Sequence, residues 1–214
     1  MDLFVVPTVG FDLLYAFVIV RLDRRDLVWI NVTANPTSEW IAHQITEAFP
    51  WDDAPQYLIR DRDRIYGAIV TRRLRTMGIR DKPTAPASPW QNSFAERLIG
   101  SIRHECVDHF IILAEAHLRR ILRAYAAYYN EIRTHRSFDK DAPVSRPVQR
   151  IGTFNSHAIL GGLHHHYVRV LVFGTHRVLL SRVGKRSFAT MPMELPRWTY
   201  SLCQQSRSGC FMDC

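Results

Sequence analysis

The sequence has no apolar run approaching the roughly 20 residues that a membrane-spanning helix needs, and its apolar start carries neither a basic leader nor a small-residue cleavage site. A cytoplasmic protein with no membrane partner is expected. Cysteine is scarce: Cys106 stands alone, while Cys203, Cys210 and Cys214 crowd the C-terminus without a CxxC pair or a downstream histidine pair. That spacing argues against zinc and for reduced bystander thiols. No internal repeat is present. Acidic residues are the minority, 20 against 28 Lys and Arg, and the net charge of +8 favours an anionic partner. Its distribution weakens that inference, because seven Lys and Arg against two Asp and Glu follow residue 150, which leaves only +3 for residues 1–150. Local clusters therefore matter more than the total.

What is present is a chain of 214 residues, enough for one full core with an appendage. MDLFVVPTVG predicts a strand broken by Pro7 and a turn at Gly10. Residues 12–22 form a nearly continuous apolar run that suits a central strand buried on both faces. A charged turn, Asp23 to Asp26, joins it to a strand over 27–34, giving an antiparallel hairpin. A helix is expected from Pro36, Thr37 and Ser38 to about Phe49, with Thr37 or Ser38 as cap. QYLIRD is a short strand, residues 67–78 are a helix closed by Gly78, and IRDKPTA is a last short strand. Helices follow over about 92–110 and 115–130. Trp29, Trp40 and Tyr15 are assigned to the core. This order predicts an α/β fold, a mixed sheet of three antiparallel strands then parallel strands, flanked by helices. Residues 151–214 differ in character: GGLHHHYVRVLVFGTHRVLL suits strands, and the last forty or so residues show no clear periodicity.

The stretch from Thr84 to Glu105, TAPASPWQNSFAERLIGSIRHE, stands at the centre of the functional reading. Ser88, Pro89 and Gln91 suggest an N-cap, a first helical position and a capping box. At about 100° per residue, Ala95, Leu98, Ile99, Ile102 and Cys106 form an apolar stripe, while Asn92, Glu96, Gly100 and Arg103 share the opposite, wet face. Any surface helix carries such charges, so Glu96 gains meaning only from partners elsewhere. Asp2 on the first strand and Asp61 at the end of the fourth are those partners, since ligand sites in α/β sheets form at strand ends. Three carboxylates brought together repel one another unless a cation neutralises them. Hard oxygen donors with open water positions suit Mg²⁺ or Mn²⁺, and two such ions roughly 4 Å apart suit phosphodiester chemistry.

These residues carry a resemblance. The chain resembles the integrase-type catalytic core of bacterial insertion-sequence transposases, the DDE family with a ribonuclease H-like fold. That family has a first-strand Asp, here Asp2, and a second Asp followed by a polar run and an aromatic, here Asp61 and Tyr66. A Pro-x-x-Asn-x-x-x-Glu block follows, here Pro89, Asn92 and Glu96, with Arg103 and Glu105 at the family's basic and acidic positions beyond it. A Tyr-Asn-x-x-Arg-x-His block and a Pro appear as YYNEIRTHRSFDKDAP, with Asn130, Arg133, His135 and Pro143. Asp61 and Glu96 lie 35 positions apart, which fits the family, whereas Asp63 would give 33. Each motif alone is weak; five in order are specific.

The resemblance implies a catalytic core over 1–150, a C-terminal extension over 151–214, and metal-dependent cleavage and strand transfer of DNA. Asp2, Asp61 and Glu96 would be the catalytic and metal-holding residues for two Mg²⁺ or Mn²⁺ ions, with transposon ends and target DNA as partners in a homo-oligomer. Arg103 takes a substrate-contacting role from the family, and Arg97 shares its face; Asn92, Arg62 and Arg64 complete the expected DNA-binding set. The run Arg60, Arg62, Arg64, Arg72, Arg73 and Arg75 suits either a phosphate-tracking surface or plain solvated charge. Asp63 replaces a customary Gly and is expected to face solvent. His164, His165 and His166 cannot all reach one ion from an extended strand, and His135 suits structural hydrogen bonding better than catalysis. Because no helix-turn-helix precedes Asp2 and its strand is short, an N-terminally truncated chain is expected, and a truncated remnant that only binds DNA is the competing function. A simple ribonuclease H-like nuclease, which cleaves without joining, is a third.

Overall fold

A computed structural model describes residues 1–50, 54–145 and 151–170. Cys203, Cys210, Cys214 and the other residues after 170 lie outside the described residues; Cys106 is free and buried. Among the described residues no helix is long and apolar enough to cross a membrane.

Strand β2 (Leu13–Val20) is the centre of the molecule, paired antiparallel with β1 (Asp2–Pro7) on one side and β3 (Leu27–Thr33) on the other. Successive side chains of a strand point to opposite faces, and here both faces are apolar. Leu14, Ala16 and Val18 enter one core with Phe4, Val6, Leu98, Ile102, Leu118 and Tyr125. Phe17 and Ile19 enter a second core with Ile41, Ile45, Val70 and Leu74. The continuous apolar run thus becomes a strand covered by helices on both sides, as its pattern predicts.

The second core is built by α1 (Ser38–Ala48) and α2 (Ala68–Thr76). Thr37 caps α1, its hydroxyl accepting from the Trp40 amide at 3.1 Å. After α2 the chain turns through Gly78, whose φ of 72° is a left-handed value that favours glycine. Strands β4 (Tyr57–Arg60) and β5 (Arg80–Pro83) pair in parallel. The Met1 nitrogen donates to Ile59 O at 2.7 Å, which sets β4 beside β1.

The first core is closed by α3 (Ser93–Glu105) and α4 (Glu115–Glu131). Two expectations about α3 need correction. Residues 89–92 form a 3-10 turn rather than α-helix, and Ser88 makes no side-chain cap; Gln91 Oε1 instead accepts from the Ala85 amide at 2.8 Å. The helix also ends at Glu105, because Cys106 leaves the helical region at φ −140°, and a short 3-10 turn, Val107–His109, replaces its expected last turn. Trp29, Trp40 and Tyr15 are half-buried rather than core; Trp29 keeps its indole N–H bonded to Gln44 Oε1 at 3.1 Å.

Beyond α4, β6 (Thr153–Ile159) and β7 (His164–Val170) form an antiparallel hairpin. Strand β6 has no apolar alternation and is exposed along almost its whole length, so periodicity gives no signal for it. The hairpin is held through His164, whose ring stacks on Tyr128 with centroids 4.2 Å apart and whose Nε2 lies 2.8 Å from Glu105 O. That contact gives the first of the three consecutive histidines a packing role.

Candidate active site

The Met1–Ile59 hydrogen bond brings the start of β1 against the end of β4. Asp2 follows Met1 directly, and Asp61 lies two residues beyond Ile59. Asp2 shares parity along β1 with Phe4 and Val6, so it stands on the sheet face that carries α3. Helix α3 is fastened to β1 at two points. Asn92 Nδ2 donates to Met1 O at 3.4 Å, and Arg103 donates to Val5 O at 3.1 Å with its guanidinium 5.6 Å from the centre of the Phe4 ring. The 11 steps from Asn92 to Arg103 span about 16 Å of helix, and the four steps from Met1 to Val5 about 13 Å of strand. The matched spans lay the helix along the strand, with Glu96 in the first turn of α3 between the same two fastenings that flank Asp2.

Electrostatics reports the same convergence. The Asp2 carboxyl is pushed up to about 6, first by burial, against the Leu3 amide that donates to its Oδ1 at 2.8 Å, and further by the negative charges of Asp61 and Glu96. Tyr66, at the motif's aromatic position, lies in the core under α1 and α2; its phenol is raised by burial and then by the charges of Asp2 and Asp61. Glu96 is exposed and Asp61 half-exposed, so the cluster opens to solvent.

Among the described residues, no three His, Cys, Asp or Glu side chains are close enough together to hold one ion. The chemistry of the donor set nevertheless fits a hard divalent cation. All three groups are carboxylates, and a half-buried carboxyl destabilised by like charges is one that a cation would return to its ionised form. A neighbouring cavity of about 440 Å³, lined by Met1, Ile19, Leu58, Asn92 and Ala95 among others, includes none of the three carboxylates.

The expected DNA-binding residues divide. Arg97 and Arg64 are exposed; Arg62 is exposed but donates from Nε to Thr84 O at 2.6 Å. Asn92 is only 4% exposed and bonds Met1 O, while Arg103 is half-buried and gives one guanidinium nitrogen to Val5 O, so both also seat α3. Arg60 leaves the basic surface run altogether, being buried against Asp81. Asp63 is exposed, as expected.

The downstream motif is architectural. Glu105 receives a two-pronged grip from Arg133, Nε at 2.6 Å and Nη2 on the other oxygen, together with the Tyr125 hydroxyl at 3.0 Å. His135 packs edge-on to Tyr129 and contacts the Arg133 guanidinium, which agrees with a structural role. Asn130 behaves as a substitute strand residue: its Oδ1 accepts from Leu27 N and its Nδ2 donates to Leu27 O, both at 2.9 Å. Burial would raise the Glu105 carboxyl, but the Arg133 hydrogen bonds and charge, with the Tyr125 hydroxyl, outweigh it and hold the group below its ordinary range. A depressed carboxyl contributes stability that is complete above its unfolded-state range and is lost as pH falls through the folded-state value. Thermal melts across acid pH should therefore show a fall in stability below the ordinary glutamate range, and a Glu105→Gln variant should lack that component.

The family model described as Integrase core domain matches residues 77–143, which include Asn92, Glu96, Arg103, Glu105, Asn130 and Arg133 and leave Asp2 and Asp61 outside. Among solved structures the chain is similar to one described as a simian T-cell lymphotropic virus intasome in complex with PP2A regulatory subunit B56 gamma. That similarity has a TM-score of 0.57 at 14% identity and covers 78% of this chain. That similarity shows a shared fold, the α/β arrangement of antiparallel and parallel strands flanked by helices described above. The chain spans 64% of the length of that solved chain. None of the curated proteins matches.

Proposed function

We propose that this integrase-type chain is the catalytic core of a DDE transposase of the bacterial insertion-sequence kind, which cuts and joins DNA phosphodiesters. The supporting observation is that the Met1–Ile59 bond and the Asn92 and Arg103 fastenings bring the elements carrying Asp2, Asp61 and Glu96 to one edge of the sheet. When bound, Mg²⁺ or Mn²⁺, as a pair of ions, would activate an attacking oxygen and stabilise a leaving one. Asp2, Asp61 and Glu96 hold the acidic face, and the Asn92 and Arg103 fastenings keep Glu96 in register with Asp2. The exposed Arg97 and Arg64 offer cations for backbone phosphates. In this reading water first cuts the transposon end, and the freed 3′-hydroxyl then attacks target DNA, without a covalent enzyme intermediate. Two ends must be joined, so the working unit is a homo-oligomer, in the cytoplasm at the nucleoid.

One observation favours a remnant that binds DNA without catalysis: no three donors among the described residues close on one ion. A labelled-oligonucleotide assay decides between the two. Cleavage and joining products are expected with Mg²⁺ or Mn²⁺, and their loss on chelation with DNA binding retained. DNA retardation with no product in either metal would establish the binding remnant, and cleavage without joining would establish a nuclease.

A further inference from the structure

Asp61 sits where the chain leaves β4, outside the ladder, and a residue there has no sheet hydrogen bonds of its own to fix it. Its two neighbours are both arginines, and both are tied to the end of β5. Arg60 is 8% exposed. It donates from Nε to Asp81 Oδ1 at 2.8 Å and from Nη2 to Asp81 Oδ2 at 2.7 Å. Its Nη1 turns back to Asp61 O at 3.1 Å. Thr71 from α2 donates to the same Asp81 oxygen at 3.3 Å, and the Tyr66 ring lies under the guanidinium, 5.6 Å from its carbon to the ring centre. On the other side, Arg62 donates to Thr84 O, and the Thr84 amide donates to Arg60 O at 2.9 Å. Asp61 is thus bracketed by two clasps that join β4 to β5, and one of them grips its own carbonyl.

We infer that the buried Arg60–Asp81 pair, supported by Thr71, is a positioning device that fixes Asp61 in the acidic site. The inference rests on the proposed role of Asp61 in holding a cation. A planar guanidinium occupied on both edges can fix a backbone carbonyl in direction as well as distance, which a lysine cannot match. A cation held by carboxylates is sensitive to such outer partners, whose loss typically weakens metal affinity by about 10- to 100-fold. The sequence disguises the pair, because RDRDR reads as a solvated run; on β4 its first arginine shares the parity of the buried Leu58 and turns inward.

The test uses the full chain and two substitutions, Arg60→Lys and Asp81→Asn, with Thr71→Val as a milder third that leaves the ion pair in place. Mn²⁺ binding is measured calorimetrically without DNA, and kcat and KM are measured for strand transfer, all well below each variant's melting temperature. The expected result is at least a 10-fold weaker Mn²⁺ affinity for Arg60→Lys and Asp81→Asn, a fall in kcat with KM for DNA unchanged, and a smaller change of the same kind for Thr71→Val. Lower melting temperatures with unchanged Mn²⁺ affinity and kcat would show that the pair only stabilises the fold, and would overturn the inference while leaving the transposase reading intact. A wild-type chain whose Mn²⁺ binding is absent, or insensitive to Asp61→Asn, would overturn the role of Asp61 and the inference with it.

Discussion

Glu96→Gln is expected to reduce metal-dependent cleavage and joining by on the order of 10³-fold or more, equivalent to about 4 kcal/mol of transition-state stabilisation. The substitution keeps the shape of the side chain and removes its charge. Glu96 is exposed in the first turn of α3, so folding should change by no more than roughly 0.3–1 kcal/mol through the helix dipole. Activity and stability therefore separate cleanly at this position. DNA affinity should be unchanged or slightly higher, because a negative charge is removed from a surface that must meet phosphates. Joining by the variant at the wild-type rate would eliminate Glu96 from the chemistry.

Arg133→Ala is expected to lower stability strongly, by about 2–4 kcal/mol in chemical denaturation. The guanidinium supplies two of the three side-chain hydrogen bonds to Glu105, and both partners are largely covered, at 22% and 27% side-chain exposure. Without it a half-buried carboxylate keeps only the Tyr125 hydroxyl. The cost comes mainly from that stranded charge, so the double variant Arg133→Ala with Glu105→Gln should recover part of the loss. A single variant within about 0.5 kcal/mol of wild type would show that the pair is merely a surface contact. Because the pair joins the end of α3 to the chain just past α4 and touches none of the three site carboxylates, the loss should appear in unfolding and not in the Mn²⁺ affinity of folded protein.

The fold was largely legible because the strongest patterns coincide with the most buried elements. The run from residue 12 to 22 announced β2, and the 3.6-residue stripe of Ala95, Leu98 and Ile102 announced the buried face of α3. The wet face of that helix was less legible for two separate reasons. The phase of a helical wheel assumes α-helix from its first residue, and the 3-10 turn at residues 89–92 swings Asn92 inward. Arg103 has a side chain long enough to fold back onto β1, so its place on the wheel does not determine where its charge ends. Partners far apart in sequence were invisible to periodicity: Glu105 with Arg133, Arg60 with Asp81, and Asn130 with Leu27 all require the assembled fold. The three carboxylates were singled out by motif order, which spacing alone could not supply.

The two aspartates of the candidate site belong to different ladders, β1–β2–β3 and β4–β5, and the bond from Met1 N to Ile59 O crosses between them. That joint makes a seam in the sheet between the start of β1 and the end of β4. The second core spans that seam, since Met1, Phe17 and Ile19 pack with Leu58, so one backbone bond and shared apolar packing hold the ladders together. A cation gripping both aspartates would act as a rivet through the seam. Ion occupancy would then be coupled to the closure of the sheet itself, and the protein would tighten along this line as its site fills.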